Sequence, residues 1–177
     1  MKRKLTILSI FVFSICLSSC KKENPKPEFV AGEIVFSVYD TVSFKSTYRL
    51  FDSLGINLKE TYDFCYFTKT NSDSIDTIKL YLNSKSYLTN GGRTYGIRNI
   101  NDTLFITTNF FNFEQNDAND WFVTIDLLNL KEYLKGNYFK WGILNVPVGQ
   151  EQLWVDKLKE FDIIESVELN HYIYLND

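Results

Sequence analysis

Histidine and cysteine, the side chains most suited to nucleophilic and acid–base chemistry near neutral pH, are scarce in this chain. Of 177 residues, 1 is histidine and 3 are cysteine, so a Ser–His or Cys–His centre would have to be built on His171. His171 runs in phase with Val167, Leu169 and Ile173, between Asn170 and Tyr172, the setting of a strand histidine satisfied by its neighbours. Cys65 lies in Asp63-Phe64-Cys65-Tyr66-Phe67, a strand pattern with no cation nearby in sequence to favour a thiolate, and reads as a buried structural thiol. Glycoside hydrolysis needs two carboxylates at a set separation. The 22 Asp and Glu residues supply too many pairs for one to stand out. Glu114, Asn116, Asp117, Asn119 and Asp120 offer oxygen ligands, but the stretch lacks the glycine and closing glutamate of a calcium loop and reads as a solvated hairpin tip. No HExxH, CxxC, GxSxG or phosphate-binding glycine loop is present. The expectation is a protein without catalysis, metal or cofactor. Aromatic stacking remains as surface chemistry. Trp154 falls in a helical apolar stripe and Trp121 in a strand stripe, which leaves Trp141 as the candidate platform for a sugar or another surface ligand.

The N-terminal stretch reads as a leader. Lys2, Arg3 and Lys4 precede an apolar run of about 13 residues, Leu5 to Leu17. That length suits a signal peptide and is too short to span a bilayer. The run ends in Leu17-Ser18-Ser19-Cys20, which resembles the lipobox of bacterial lipoproteins. The resemblance implies cleavage before Cys20 and a diacylglycerol on its thiol; two or three acyl chains at about 0.8 kcal/mol per buried CH₂ give lasting attachment. Residues 1–19 are then the signal peptide and residues 20–30 the lipid anchor and tether, a polar spacer stiffened by Pro25 and Pro27. Lys21 stands where an aspartate would favour inner-membrane retention, so the expected address is the bacterial outer membrane, on either its periplasmic or its exterior side.

The remainder, residues 31–177, is long enough for one domain with a real core. The chain carries a net charge of −3, and three of its cations lie in the leader, so the rest carries −6. An acidic body without a basic stripe argues against nucleic acid. With Cys16 in the leader and Cys20 lipidated, Cys65 has no cysteine left to pair with. Aromatics at 16%, mostly Phe and Tyr, suit strands.

The body reads as two similar halves. Gly32, Ile34, Phe36 and Val38 align with Gly142, Leu144, Val146 and Val148, each set alternating as a strand does. Phe44, Tyr48 and Phe51 align with Trp154, Leu158 and Phe161 at helical spacing. Ser43 suits the first helix's N-cap, Gly55 its left-handed C-terminal cap, and Glu151 the positive end of the second helix. Ile56, Leu58, Tyr62 and Phe64 then match Val167, Leu169, Ile173 and Leu175. Two βαβ units predict an α+β fold: a ferredoxin-like antiparallel sheet with two helices on one face. An insert, about residues 72–138, separates the halves. Its spacing predicts a short helix from Ile75 to Leu82, a turn at Asn90-Gly91-Gly92, a strand from Leu104 to Phe111, and a strand through Trp121, Val123, Ile125 and Leu127. Residues 114–120 would join those two strands as a hairpin, and a short helix would follow at Leu130 to Leu134.

Ala31-Gly32-Glu33-Ile34-Val35-Phe36, the Ser53-Leu54-Gly55 helix end and Ile164-Glu165-Ser166-Val167-Glu168-Leu169-Asn170 together resemble subtilisin-type propeptides. The resemblance implies a ferredoxin-like inhibitor domain that docks its sheet on a protease and lays its C-terminal tail in the cleft. It assigns partner binding to Tyr172, Tyr174, Leu175, Asn176 and Asp177. The leading expectation is a lipid-anchored, non-catalytic protein-binding module. A carbohydrate or cell-surface ligand binder using Trp141 and a structural subunit of an envelope complex are the alternatives.

Overall fold

A computed structural model describes residues 28–69, 74–90, 94–134 and 139–171. Within them the chain is a mixed α+β fold of four helices and seven strands. The order is β1 (Phe29–Val38), α1 (Phe44–Leu54), β2 (Asn57–Lys69), α2 (Ile75–Asn83), a 3-10 turn (Ser86–Leu88), β3 (Gly96–Ile100), β4 (Thr103–Phe113), α3 (Gln115–Leu127), β5 (Lys131–Glu132), β6 (Lys140–Asn145), α4 (Glu151–Leu158) and β7 (Ile164–His171). The strands form one open sheet in the order β3-β4-β2-β6-β1-β7, antiparallel throughout, and β5 pairs with β2 beyond the end of β6. Ile34 of β1 sits opposite Leu144 of β6, so these two strands are neighbours.

Local chemistry sets the helix ends. Ser43 is extended, and its hydroxyl accepts the Ser46 N–H at 3.0 Å. Gly55 closes α1 in the left-handed region at φ 67°. Ser43→Ala should cost about 1 kcal/mol in urea denaturation, because one N-terminal amide loses its acceptor. At α4, Glu151 lies in the first turn, and its carboxylate accepts the N–H of Gly32 at 2.7 Å. That bond ties α4 to β1, and together with the backbone N–H groups of Glu151 and Gly149 it holds the Glu151 carboxyl below its ordinary range.

The core lies on one face of the sheet. Ile34, Phe36, Val38, Phe64, Tyr66, Leu104, Ile106, Phe110 and Leu144 join one apolar cluster with Phe44 and Phe51 of α1, Ile78 and Leu82 of α2, Trp121 of α3, and Val155 and Leu158 of α4. Phe44 is its hub: it stacks on Phe110 at 4.3 Å and meets Phe64 and Phe113 edge-on at 5.1 and 5.3 Å. Trp121 is fully buried and donates its indole N–H to the Tyr66 hydroxyl at 3.2 Å.

Several sequence expectations need correction. Trp121 to Leu127 is the second half of α3, not a strand, and Gln115–Asp120 is its first half, not a loop. Ala118, Trp121 and Thr124 face the core, while Val123 and Leu127 point outward at 62% and 64% exposure, so the alternation was that of a helix whose outer side is partly apolar. The polar run acts as an N-terminal cap: Asp117 accepts the Glu114 N–H at 3.0 Å. The insert's hairpin is instead β3–β4, turned by Asn101 and Asp102 at φ 48° and 57° between paired Ile100 and Thr103. The expected helix at Leu130 to Leu134 is strand β5 and its exit. β6 ends at Asn145, short of Val148, which is 74% exposed. Phe161 lies beyond α4, which closes at Leu158. Gly91 and Gly92 of the expected turn lie outside the described residues.

Candidate functional site

Among the described residues, no helix packs on the second face of the sheet, and its side chains form rows across the strands. One row runs Tyr62, Trp141, Ser37, Ser166 across β2, β6, β1 and β7. Tyr62 and Trp141 stack at 4.3 Å with planes 18° apart, and Phe111 meets Tyr62 edge-on at 6.1 Å. The Tyr62 hydroxyl donates to the Glu60 carboxylate, and the Ser37 and Ser166 hydroxyls share a hydrogen bond of 2.7 Å. Towards β7 the face is acidic: Glu33 pairs with Lys59 and accepts from the Asn170 amide at 2.7 Å, and Glu168 stands opposite Val35.

The other end of this face is cationic and aromatic. Arg98, Phe105, Phe67 and Lys131 lie in one row across β3, β4, β2 and β5, and Lys69 ends β2 beside it. The Tyr133 ring stands almost at right angles to Phe67 (86°) and Phe105 (85°), so it walls the row rather than lying on it. A cavity of about 450 Å³ opens between Tyr133 and β3, lined by Cys65, Gly96, Arg98, Phe105 and Thr107 among others. That volume falls in the range of about 300–1,000 Å³ usual for small-molecule pockets.

Beneath the sheet, on the core side, lies a buried ion pair. The Lys140 ammonium stands 3.6 Å from the Glu132 carboxylate and donates to the carbonyls of Asp40 and Val42, both at 2.8 Å. Glu132 also accepts the Phe44 N–H at 2.8 Å, at the positive end of α1. Burial raises the Glu132 carboxyl above its ordinary value and lowers the Lys140 ammonium below its own, and their attraction only partly offsets this. Lys140 is fully buried and the Glu132 side chain is 13% exposed, so the pair lies largely within the fold, on the side away from the open face.

The predicted site residues fall in different places. Trp141 is on β6, outside the insert, half-buried and stacked rather than free. Trp121 is core, and Trp154 lies half-buried on α4 under the Lys157 ammonium, 4.4 Å from the ring centre. Cys65 is buried on β2, at the foot of the cavity. His171 ends β7, exposed, with its ring nitrogen 3.2 Å from the Glu28 carbonyl. Cys20 and the tail residues Tyr172, Tyr174, Leu175, Asn176 and Asp177 lie outside the described residues. Among the described residues no three His, Cys, Asp or Glu side chains gather as a metal site, and no helix is long and apolar enough to cross a membrane.

Sequence reasoning missed Tyr62, Phe67, Phe105, Tyr133 and Arg98 as neighbours. Alternation within Cys65–Lys69 and Thr103–Thr107 carries part of that signal, since every second residue of each must share a face. The pairing that brings the two segments together does not show in either one. Compared with known protein families, with curated proteins and with solved structures, the chain matches none.

Proposed function

We propose that this chain is a lipid-anchored protein of the bacterial outer membrane, ferredoxin-like in fold, that binds a partner protein on its open sheet face and performs no catalysis itself. The observation that carries the reading is the one-sidedness of the sheet. All four described helices feed one core, while the opposite face displays half-buried rings in rows, the composition of an interface centre. The ferredoxin-like assignment is supported by the order β2-β6-β1-β7, with α1 between β1 and β2 and α4 between β6 and β7. The anchor rests on Leu17-Ser18-Ser19-Cys20, and the protease-like partner on the resemblance to inhibitory propeptides.

The test uses the full chain in native membranes. Cys20→Ala should move the protein to the soluble fraction; unchanged membrane partition defeats the anchor. Crosslinking should then recover a protein partner whose yield falls about tenfold or more with Tyr62→Ala plus Trp141→Ala, in line with the loss of two aromatic anchors. Deleting Tyr172 to Asp177 should weaken capture if the tail enters a protease cleft. A partner retained in full by both variants overturns the docking reading.

A second reading has its own support. Trp141 stacked on Tyr62, with Glu60 bonded to the tyrosine hydroxyl, combines a flat ring surface with polar groups, as carbohydrate binding requires. Recovery of polysaccharide without protein, lost with Trp141→Ala alone, selects that reading. Recovery of a stable multi-protein assembly indifferent to both variants selects a structural subunit of an envelope complex.

A further inference from the structure

We propose that the cavity beside β3 is a binding site for a carboxylate carried on an apolar or aromatic body, held by Arg98. The proposal stands on this cavity and does not depend on which ligand the Trp141 end of the face receives.

Three observations converge on it. The first is shape. Gly96 sits opposite Thr107, and a Cβ built on it would meet the Thr107 Cβ at 3.7 Å, an ordinary contact. A side chain would therefore fit the strand here, and its absence keeps the 450 Å³ space open. The second is lining. Phe105 and Tyr133 meet edge-on, and Ile100, 45% exposed, sits at the rim, so the walls suit an apolar body. The third is charge. Arg98 reaches the same cavity, is exposed, and makes no ion pair or hydrogen bond among the described residues. Lys69 and Lys131 share its face, and among the described residues no carboxylate lines the cavity. A planar guanidinium in a cavity walled by aromatic rings is a ready partner for one carboxylate, which it can grip through two parallel N–H bonds. A neutral polyol would leave the Arg98 charge without a counter-charge. A cation would meet Arg98.

The same chemistry can arrive as a small free acid or as the C-terminal residue of a partner chain, and the experiment separates the two. Full-length protein in detergent is titrated calorimetrically with 3-phenylpropionate, with its neutral analogue 3-phenylpropanol, and with a short peptide ending in phenylalanine as free acid or amide. The acid form should bind about ten- to hundredfold more tightly than its neutral counterpart, the worth of a charge-assisted hydrogen-bonded pair. Binding of both free acids points to a small-molecule site; binding of the peptide acid alone points to a chain terminus. Arg98→Ala should erase the acid-over-neutral preference, and Gly96→Val should block both forms by filling the space. Both variants should keep the parent melting temperature, which shows that the fold is intact. Trp141→Ala should change nothing. The proposal is overturned if neither acid binds at millimolar concentration, if alcohol and acid bind equally, or if Arg98→Ala keeps the preference.

Discussion

Gly142→Ala is expected to destabilise the fold by about 3 kcal/mol or more, and Gly142→Val to prevent it from forming a cooperative structure. Gly142 sits on β6 in the middle of the sheet, paired to Phe36 of β1 and Thr61 of β2. A Cβ built there would stand 2.4 Å from the Glu60 carbonyl oxygen and 2.7 and 2.9 Å from two atoms of the Phe36 ring. The ring is fully packed, and the carbonyl belongs to the neighbouring strand's backbone, so neither can give way without moving β2 or β1. A domain holds only about 5–15 kcal/mol in total, so such a loss is a large share of it. Urea denaturation of Gly142→Ala beside Gly96→Ala makes the comparison internal. The second variant meets only an ordinary contact and should be close to neutral. Equal behaviour of the two would mean that the crowding at Gly142 is relieved by sheet movement.

Part of the fold was legible in the sequence and part was not, according to how far along the chain its determinants lie. Ser43, Gly55 and Glu151 mark helix ends through their own backbone and capping chemistry, which acts over a few residues and shows in the sequence. The stripe of Ile34, Phe36 and Val38 is equally local. β2 is different. Leu58, Tyr62 and Phe64 read as one stripe, yet Leu58 and Phe64 enter the core while Tyr62 lies on the open face beside Trp141. Register shifts between Leu58 and Glu60 and between Thr61 and Phe64 reset the alternation, the second at Asp63 with φ 66°. A bulge of this kind depends on partners remote in sequence, here Asn109 and Gly142, so no window around Asp63 reveals it. α3 was hidden for another reason. Val123 and Leu127 are apolar but exposed, and two such residues turn a helical stripe into an apparent alternation. The cavity at Arg98 needs β3, β4 and β5 gathered around β2, a pairing that only tertiary structure supplies.

Removing either member of the buried Lys140–Glu132 pair is expected to cost about 3–5 kcal/mol, because the other is left charged without its partner. The two losses should differ in kind. Glu132→Gln keeps an oxygen for the Phe44 N–H but leaves the Lys140 ammonium against the carbonyls of Asp40 and Val42 and the Phe64 ring, 5.4 Å from its centre. Lys140→Met fills the space but strands the Glu132 carboxylate and the two carbonyls. The double variant, Lys140→Met with Glu132→Gln, should cost clearly less than the sum, since no net charge remains buried. A pH comparison gives the sharper test. Burial already raises the Glu132 carboxyl, and without Lys140 it should rise further. The folded state then holds that proton more tightly than the unfolded chain does. The variant gains relative stability below the unfolded value and loses it as pH rises through the folded one. The deficit of Lys140→Met should therefore be smaller near about pH 5 than near about pH 8, and adding Glu132→Gln should flatten the difference. A deficit that stays constant across that range in Lys140→Met alone would show that Glu132 stays ionised by reaching water through its exposed edge.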